Sequence, residues 1–207
     1  MAKSRLPDDL LKIPEAAASP LDRMPPIPDE QMTPEQQAAA EEFAGKRGVK
    51  LGGPFIPLLR SPEVLKATTH LGAYLRFKCA LPETKLSELA ILVTARRWTQ
   101  NYEWHAHRKI ALHAGLDPAI ADAIAEGRRP TGMSEDEAIV YEFCTELHNN
   151  GGVCDPTYAR ASTRYGEQAI IDMAALCGYY SMLAMVMNVA RTQLPAGVEP
   201  GLKPLLR

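Results

Sequence analysis

Apolar residues recur at helical spacing through most of the chain, and no stretch keeps up the two-residue alternation of a half-buried strand. The pattern predicts an all-α fold of about eight helices. Thr33-Pro34 with Gln36 makes a capping box and opens a helix that runs to about Lys46 and stops at Gly48. Ser61-Pro62-Glu63 opens the next, with Val64, Leu65, Leu71 and Leu75 on its inner stripe. In "KLSELAILVTARRW", Leu86, Leu89, Ala90, Val93 and Arg97 fall at i, i+3, i+4 spacing. Residues 103–114 read as a further helix ended by Gly115, and Asp117-Pro118 starts another that ends at Gly127. Ser134 and Glu137 form a second capping box, and Gly151-Gly152 ends its helix. Asp155-Pro156 begins a helix ended by Gly166, and a long apolar helix over 167–193 follows. Short connections of this kind are those of a helical bundle.

Ahead of these helices, prolines at 7, 14, 20, 25, 26 and 28 remove donors and block helix. The expected organisation is an extended proline-rich arm over 1–33 and one helical domain over 34–207. No repeat at a fixed period appears.

The apolar run 173–190 carries no charge and is as long as a short membrane span. It contains Tyr179, Tyr180, Ser181 and Asn188, is bounded closely by Asp172 and Arg191, and has no basic flank. A helix buried all round in a bundle or a subunit interface reads the same way, and that reading is preferred. Of the 207 residues 46% are hydrophobic and 23% charged, ordinary for a globular protein. A net charge of −2 without any basic cluster gives no electrostatic ground for a nucleic-acid partner. The start of the chain, "MAKSRLPDDLLKIPE", has no apolar signal core, and Cys79, Cys144, Cys154 and Cys177 form no C-x-x-C pair. A cytoplasmic protein with reduced thiols and a small-molecule substrate is expected, with no membrane partner.

The densest chemistry lies in "QNYEWHAHRK", residues 100–109. Glu103 and His107 stand at i, i+4 and share one helix face. A carboxylate there raises the basicity of the imidazole and selects its tautomer, or else forms an ordinary exposed ion pair. His105 points about 160° away by the 3.6-residue period, so the two histidines do not clamp one metal. Neither H-E-x-x-H nor paired-cysteine zinc spacing is present, and no metal is expected. Glu88 interrupts an apolar stripe and must be paired or functional if buried; folding its helix against the next brings it towards His107. Arg96 and Arg97 end that helix, placed either to bind a carboxylate or to complement the helix dipole. Trp98, Tyr102 and Trp104 are core or pocket aromatics. His70 and His148 have no partner visible in the sequence and are taken as structural.

Residues 88–124 resemble the carboxymuconolactone decarboxylase family, within the AhpD-like superfamily. The features that carry the resemblance are Glu88, then Glu103-Trp104-x-x-His107, then Ala111 and Gly115-Leu116. The helices over 137–190 are similar to the later ones of longer members, so the likeness spans roughly residues 50–195. The superfamily's peroxidase branch carries Cys-x-x-Cys where this chain has Gln100 and Glu103, so dithiol peroxidase chemistry at that place is not expected. The decarboxylase-like branch has glutamate at the position of Glu103. The resemblance implies an AhpD-like bundle, commonly a homo-oligomer with active sites near subunit contacts. It also implies an enzyme needing no cofactor, because an unsaturated lactone or carboxylate supplies its own electron sink. In that implied site His107 is the general acid/base, Glu103 orients it and Glu88 is a second proton carrier. Arg97 and Arg96 bind a substrate carboxylate there, and Trp104, Tyr102 and His105 support or line the entrance. An antioxidant protein using another cysteine, such as Cys144 or Cys154, and a non-catalytic oligomeric binding protein are the competing classes.

Overall fold

The computed structural model describes residues 21–205, which form eight α-helices, a 3-10 turn at Asp29–Gln31 and no strand. The helices are α1 (Pro34–Arg47), α2 (Phe55–Leu58), α3 (Pro62–Phe77), α4 (Thr84–Trp98), α5 (Asn101–His113), α6 (Pro118–Ala125), α7 (Glu135–Asn150) and α8 (Asp155–Ala190). Prolines 7, 14 and 20, and so most of the expected arm, lie outside the described residues. Residues 21–33 are tied down by the Arg23 amide donating to the Ala190 carbonyl at 2.8 Å and by Arg60 Nη2 donating to Pro25 O at 2.8 Å.

The bundle is built around α4. Every residue from 86 to 96 is buried, because α5, α7 and α8 pack against it and α6 covers its C-terminal end. Leu86, Leu89 and Leu92 are wholly inaccessible, each stabilising the fold by about 1.5–3 kcal/mol. The sequence stripe assigned Arg97 to the inner face and left the rest amphipathic. Encasement on all sides instead buries Arg96 and leaves Arg97 exposed. On α3, Leu65 and Leu75 are buried as expected, whereas Val64 and Leu71 are exposed. The buried stripe there is completed by Thr68, Thr69 and Gly72, since α3 packs mainly on α1 and α8 along that one line.

Both capping boxes form, at Thr33/Gln36 and Ser134/Glu137. α8 is two helical segments joined at a kink: Gly166, with φ 81° and ψ 170°, is the break expected at that glycine. The most apolar 18-residue window of α8 has a mean hydropathy of 1.6 and is half buried against the bundle, as in the core helix of a globular fold. Asp172, buried on α8, accepts from the Tyr74 hydroxyl at 3.1 Å and the Ala80 amide at 2.7 Å, and so ties the end of α3 to the core.

The α4–α5 turn sets the geometry of everything described below. Thr99 adopts φ 49°, ψ 41°, a left-handed conformation strained for a β-branched residue. Its hydroxyl accepts from Arg96 Nη2 at 2.8 Å, which helps hold it there. The Gln100 side chain caps α5 by accepting from the Tyr102 amide at 2.7 Å and donates to Asn188 Oδ1 at 2.8 Å. This cap starts α5 at Asn101, two residues before the start read from periodicity alone.

Gly53 lies at φ 55°, and a Cβ there would stand 2.5 Å from Cε1 of the buried Tyr102 ring. Gly53→Ala therefore combines backbone strain with a clash. It should lower unfolding stability by about 1–3 kcal/mol in urea titration, and unchanged stability would contradict this packing.

Candidate active site

The α4–α5 hairpin buries three titratable side chains together. Glu88 is 3% exposed, Glu103 3% and His107 8%. His107 Nδ1 lies 2.7 Å from Glu88 Oε2. With the proton on Nδ1, Glu88 accepts it and fixes the tautomer, and among the described residues Nε2 has no hydrogen-bond partner. The orienting carboxylate is thus Glu88, nineteen positions away in sequence, and not the i, i+4 neighbour Glu103.

Glu103 has a different environment. Both carboxyl oxygens are buried and neither has a hydrogen-bond partner among the described residues. Burial alone pushes its carboxyl well above the usual carboxylate range. Burial thus favours its protonated form, one helical turn from an imidazole whose Nδ1 is held by a second carboxyl. Tyr180 meets the His107 ring edge-on at 4.9 Å, and Tyr179 stands against Tyr180 at 5.2 Å. Burial pushes both phenols up, with Glu103 adding to each shift, so α8 closes the cluster with two neutral hydroxyls.

The other residues singled out in the sequence lie around the cluster and not in it. Arg96 donates to Ala125 O at 3.1 Å, Lys203 O at 2.9 Å and Thr99 Oγ1, so it fastens the C-terminal segment. Arg97 donates to His148 O at 3.3 Å, and both arginines line a cavity of about 490 Å³ with Tyr141, Thr145 and His148. Tyr102 packs beneath Gly53. Trp104 packs against Gly201 and shares a different cavity, of about 350 Å³, with His105. The His105 Nε2 stands 2.9 Å from Lys109 Nζ; burial, and then that charge, lowers its pKa. Among the described residues no three His, Cys, Asp or Glu side chains are grouped as a metal ion would need.

One grouping has no sequence signal. Cys144 on α7 and Cys177 on α8 are free, buried and close enough to perturb each other's thiol, with His148 and Thr94 beside Cys177. Their mutual interaction lowers the Cys177 thiol and, with burial, raises that of Cys144. His148, without a partner in sequence, stands 2.8 Å from Thr94 Oγ1. Residues separated by 33 and 54 positions carry no local motif, so only the α4/α7/α8 packing reveals this cluster.

No protein-family model and no curated protein matches the sequence. Solved structures do share its architecture. The alkylhydroperoxidase AhpD core, a peroxidase-related protein from Ralstonia eutropha, aligns over 86% of this chain and 95% of its own with a TM-score of 0.69 at 16% identity. A peroxidase-related protein from Silicibacter aligns over 89% and 95%, with a TM-score of 0.65 at 18% identity. A variant of the debrominase Bmp8 in complex with 2,3,4-tribromopyrrole aligns over 88% and 95%, with a TM-score of 0.62 at 15% identity. The chain thus has the AhpD-like all-α fold. At these identities the likeness defines the fold and leaves chemistry to the site.

A carboxyl kept protonated by burial destabilises the fold as pH rises, because the unfolded chain releases that proton and the folded one does not. The contribution is favourable below the ordinary glutamate value near ~4.3 and is lost between that pH and the raised folded value. Relative to Glu103→Gln, the wild-type protein should lose stability above about pH 4.3, with a slope approaching ~1.4 kcal/mol per pH unit. Urea unfolding of both proteins across pH reads this directly; parallel curves would mean that Glu103 ionises normally.

Proposed function

We propose that the protein is an enzyme of proton transfer, acting without a cofactor on a small unsaturated carboxylate or lactone, as in the decarboxylase-like branch of the carboxymuconolactone decarboxylase family. The observation that carries this reading is the coexistence, within one helical turn, of a buried carboxyl lacking any hydrogen-bond partner and a histidine held at Nδ1 by a second carboxyl. Environments that separate two acids in this way mark an acid/base assignment.

The geometry favours roles for the glutamates opposite to those implied by the family resemblance. Glu88 orients His107, whose Nε2 exchanges the proton with substrate, and Glu103 is the protonated donor. In a decarboxylation the bond to the carboxylate carbon breaks, its electron pair enters the conjugated system as an enolate, and carbon dioxide leaves. A proton delivered from the cluster to carbon completes the reaction. In an isomerisation the same groups remove one proton and return it elsewhere. Exposed Ile171, Met185 and Val189 on α8 support a homo-oligomer, whose mass sedimentation reads directly.

A second reading has its own observation. The contacting Cys144 and Cys177, in a fold shared with peroxidase-related proteins, suit reduction of a hydroperoxide. Two thiols would give one disulfide, and the hydroperoxide would give alcohol and water. One set of assays separates the two readings. On unsaturated lactones and carboxylates, His107→Ala should lose about 10²–10⁴-fold in turnover, while Cys177→Ser keeps activity. Hydroperoxide consumption that vanishes with Cys177→Ser and survives His107→Ala would replace the proton-transfer reading with the thiol one.

A further inference from the structure

A cavity that none of the acid/base residues lines lies on the α1–α3 side of the bundle. It has a volume of about 390 Å³ and sits between the end of α1 and the outer half of α3, within the size range of small-molecule sites, ~300–1,000 Å³. Lys46, Arg47, His70 and Arg76 line it, with Val49, Ala73 and Phe77 as apolar wall, and no carboxylate is among its lining residues.

The two arginines are the unusual feature. Arg47 Nη2 and Arg76 Nε are buried, and neither has a hydrogen-bond partner among the described residues. Buried guanidinium nitrogens are normally paired, because an unmet charged donor costs more than a neutral one. The nearby acids are engaged elsewhere: Glu42 with Lys46 at 2.5 Å and Glu63 with Lys66 at 2.8 Å. Lys46 is thereby neutralised, and Arg47 and Arg76 are not. Arg47 is held in place, its guanidinium 4.9 Å from the Phe55 ring centroid and 5.5 Å from that of Phe43, while Arg76 lies 5.4 Å over Phe77. Burial pushes the Arg47 guanidinium below its usual value, the Tyr179 phenol raises it through charge and hydrogen bonding, and the like charge of Arg76 lowers it again. Two cations lining one cavity against an apolar wall, without a counter-charge among the described residues, form a preorganised receptor for an organic anion.

We propose that this cavity binds the carboxylate of a small organic anion, with Arg47 and Arg76 as its charged donors and Val49, Ala73 and Phe77 against its carbon skeleton. Tyr179 interacts with Arg47 and Arg76 and also with Glu103, which links the arginine pair to the proton-transfer cluster through one side chain. A role as the anchor for the charged end of the substrate rests on the proposed function; binding itself does not.

The test is calorimetric titration and thermal shift of the full chain with benzoate, with benzamide as the uncharged isostere, and with inorganic phosphate. Benzoate should bind saturably and raise Tm, and benzamide should do neither. Arg76→Gln should weaken benzoate by about tenfold or more. Because removing a packed arginine also risks the fold, Ala73→Glu supplies the second arm. It places a carboxylate one turn before Arg76, at the cavity wall, and should raise Tm in the absence of ligand while abolishing benzoate binding. His107→Ala should bind benzoate as the wild type does, so that loss of the acid/base reading and loss of this one are told apart. Equal binding of benzoate and benzamide, unchanged affinity in Arg76→Gln, or binding of phosphate with none of benzoate would each overturn the proposal.

Discussion

Encasement of α4 is the constraint on which the rest of the structure depends. A helix covered by α5, α7 and α8 has no solvent face on which to put a charge, yet its sequence carries Glu88 near the middle. A carboxylate carried into such an interior costs several kcal/mol unless it finds a partner. The strained Thr99 turn folds α5 back so that His107 arrives 2.7 Å from Glu88. The hairpin, the turn and the buried pair are therefore one device, and the bundle core and the candidate active site are the same set of contacts.

Glu103 extends that logic. It enters the same interior from α5, but His107 has already been taken by Glu88, so its oxygens are left without partners among the described residues and burial favours its protonated form. The two carboxyl groups are chemically alike and are told apart only by which of them holds the imidazole. Such a division leaves one group to orient and one to donate, with histidine between them in function. Tyr179 and Tyr180 pack edge-on beside this cluster, and Tyr179 also interacts with Arg47 and Arg76.

Much of this was legible in the sequence because it follows from local rules. Thr33/Gln36, Ser134/Glu137 and Gly166 mark helix ends through their own backbone chemistry, and the all-α pattern needs no tertiary information. Glu88, Glu103 and His107 stood out as polar residues in apolar or aromatic surroundings. What was not legible is what depends on rotation and on non-local partners. Periodicity gave the spacing of Val64, Leu71 and Arg97 but not the angle at which neighbours cover their helices, and all three are exposed. The i, i+4 rule paired Glu103 with His107, and a contact across the hairpin took precedence. Arg96 offered a carboxylate ligand in sequence, but its Nη1 donates to backbone carbonyls at the end of α6 and in the C-terminal segment and its Nη2 to Thr99. Arg47, Arg76 and the Cys144–Cys177 pair carry no motif at all; they become a site only when α1 meets α3, or α7 meets α8.

The claim at the centre of this account is that burial holds the proton on Glu103 well above the usual carboxylate range, beside a histidine held by Glu88. The most direct measurement is the carboxyl-carbon NMR signal of Glu103 followed through a pH titration and assigned by its loss in Glu103→Gln. The account predicts the chemical shift of a protonated carboxyl at pH 7. A midpoint near ~4.3, like that of a solvent-exposed glutamate, would contradict it and remove the donor from the proposed chemistry.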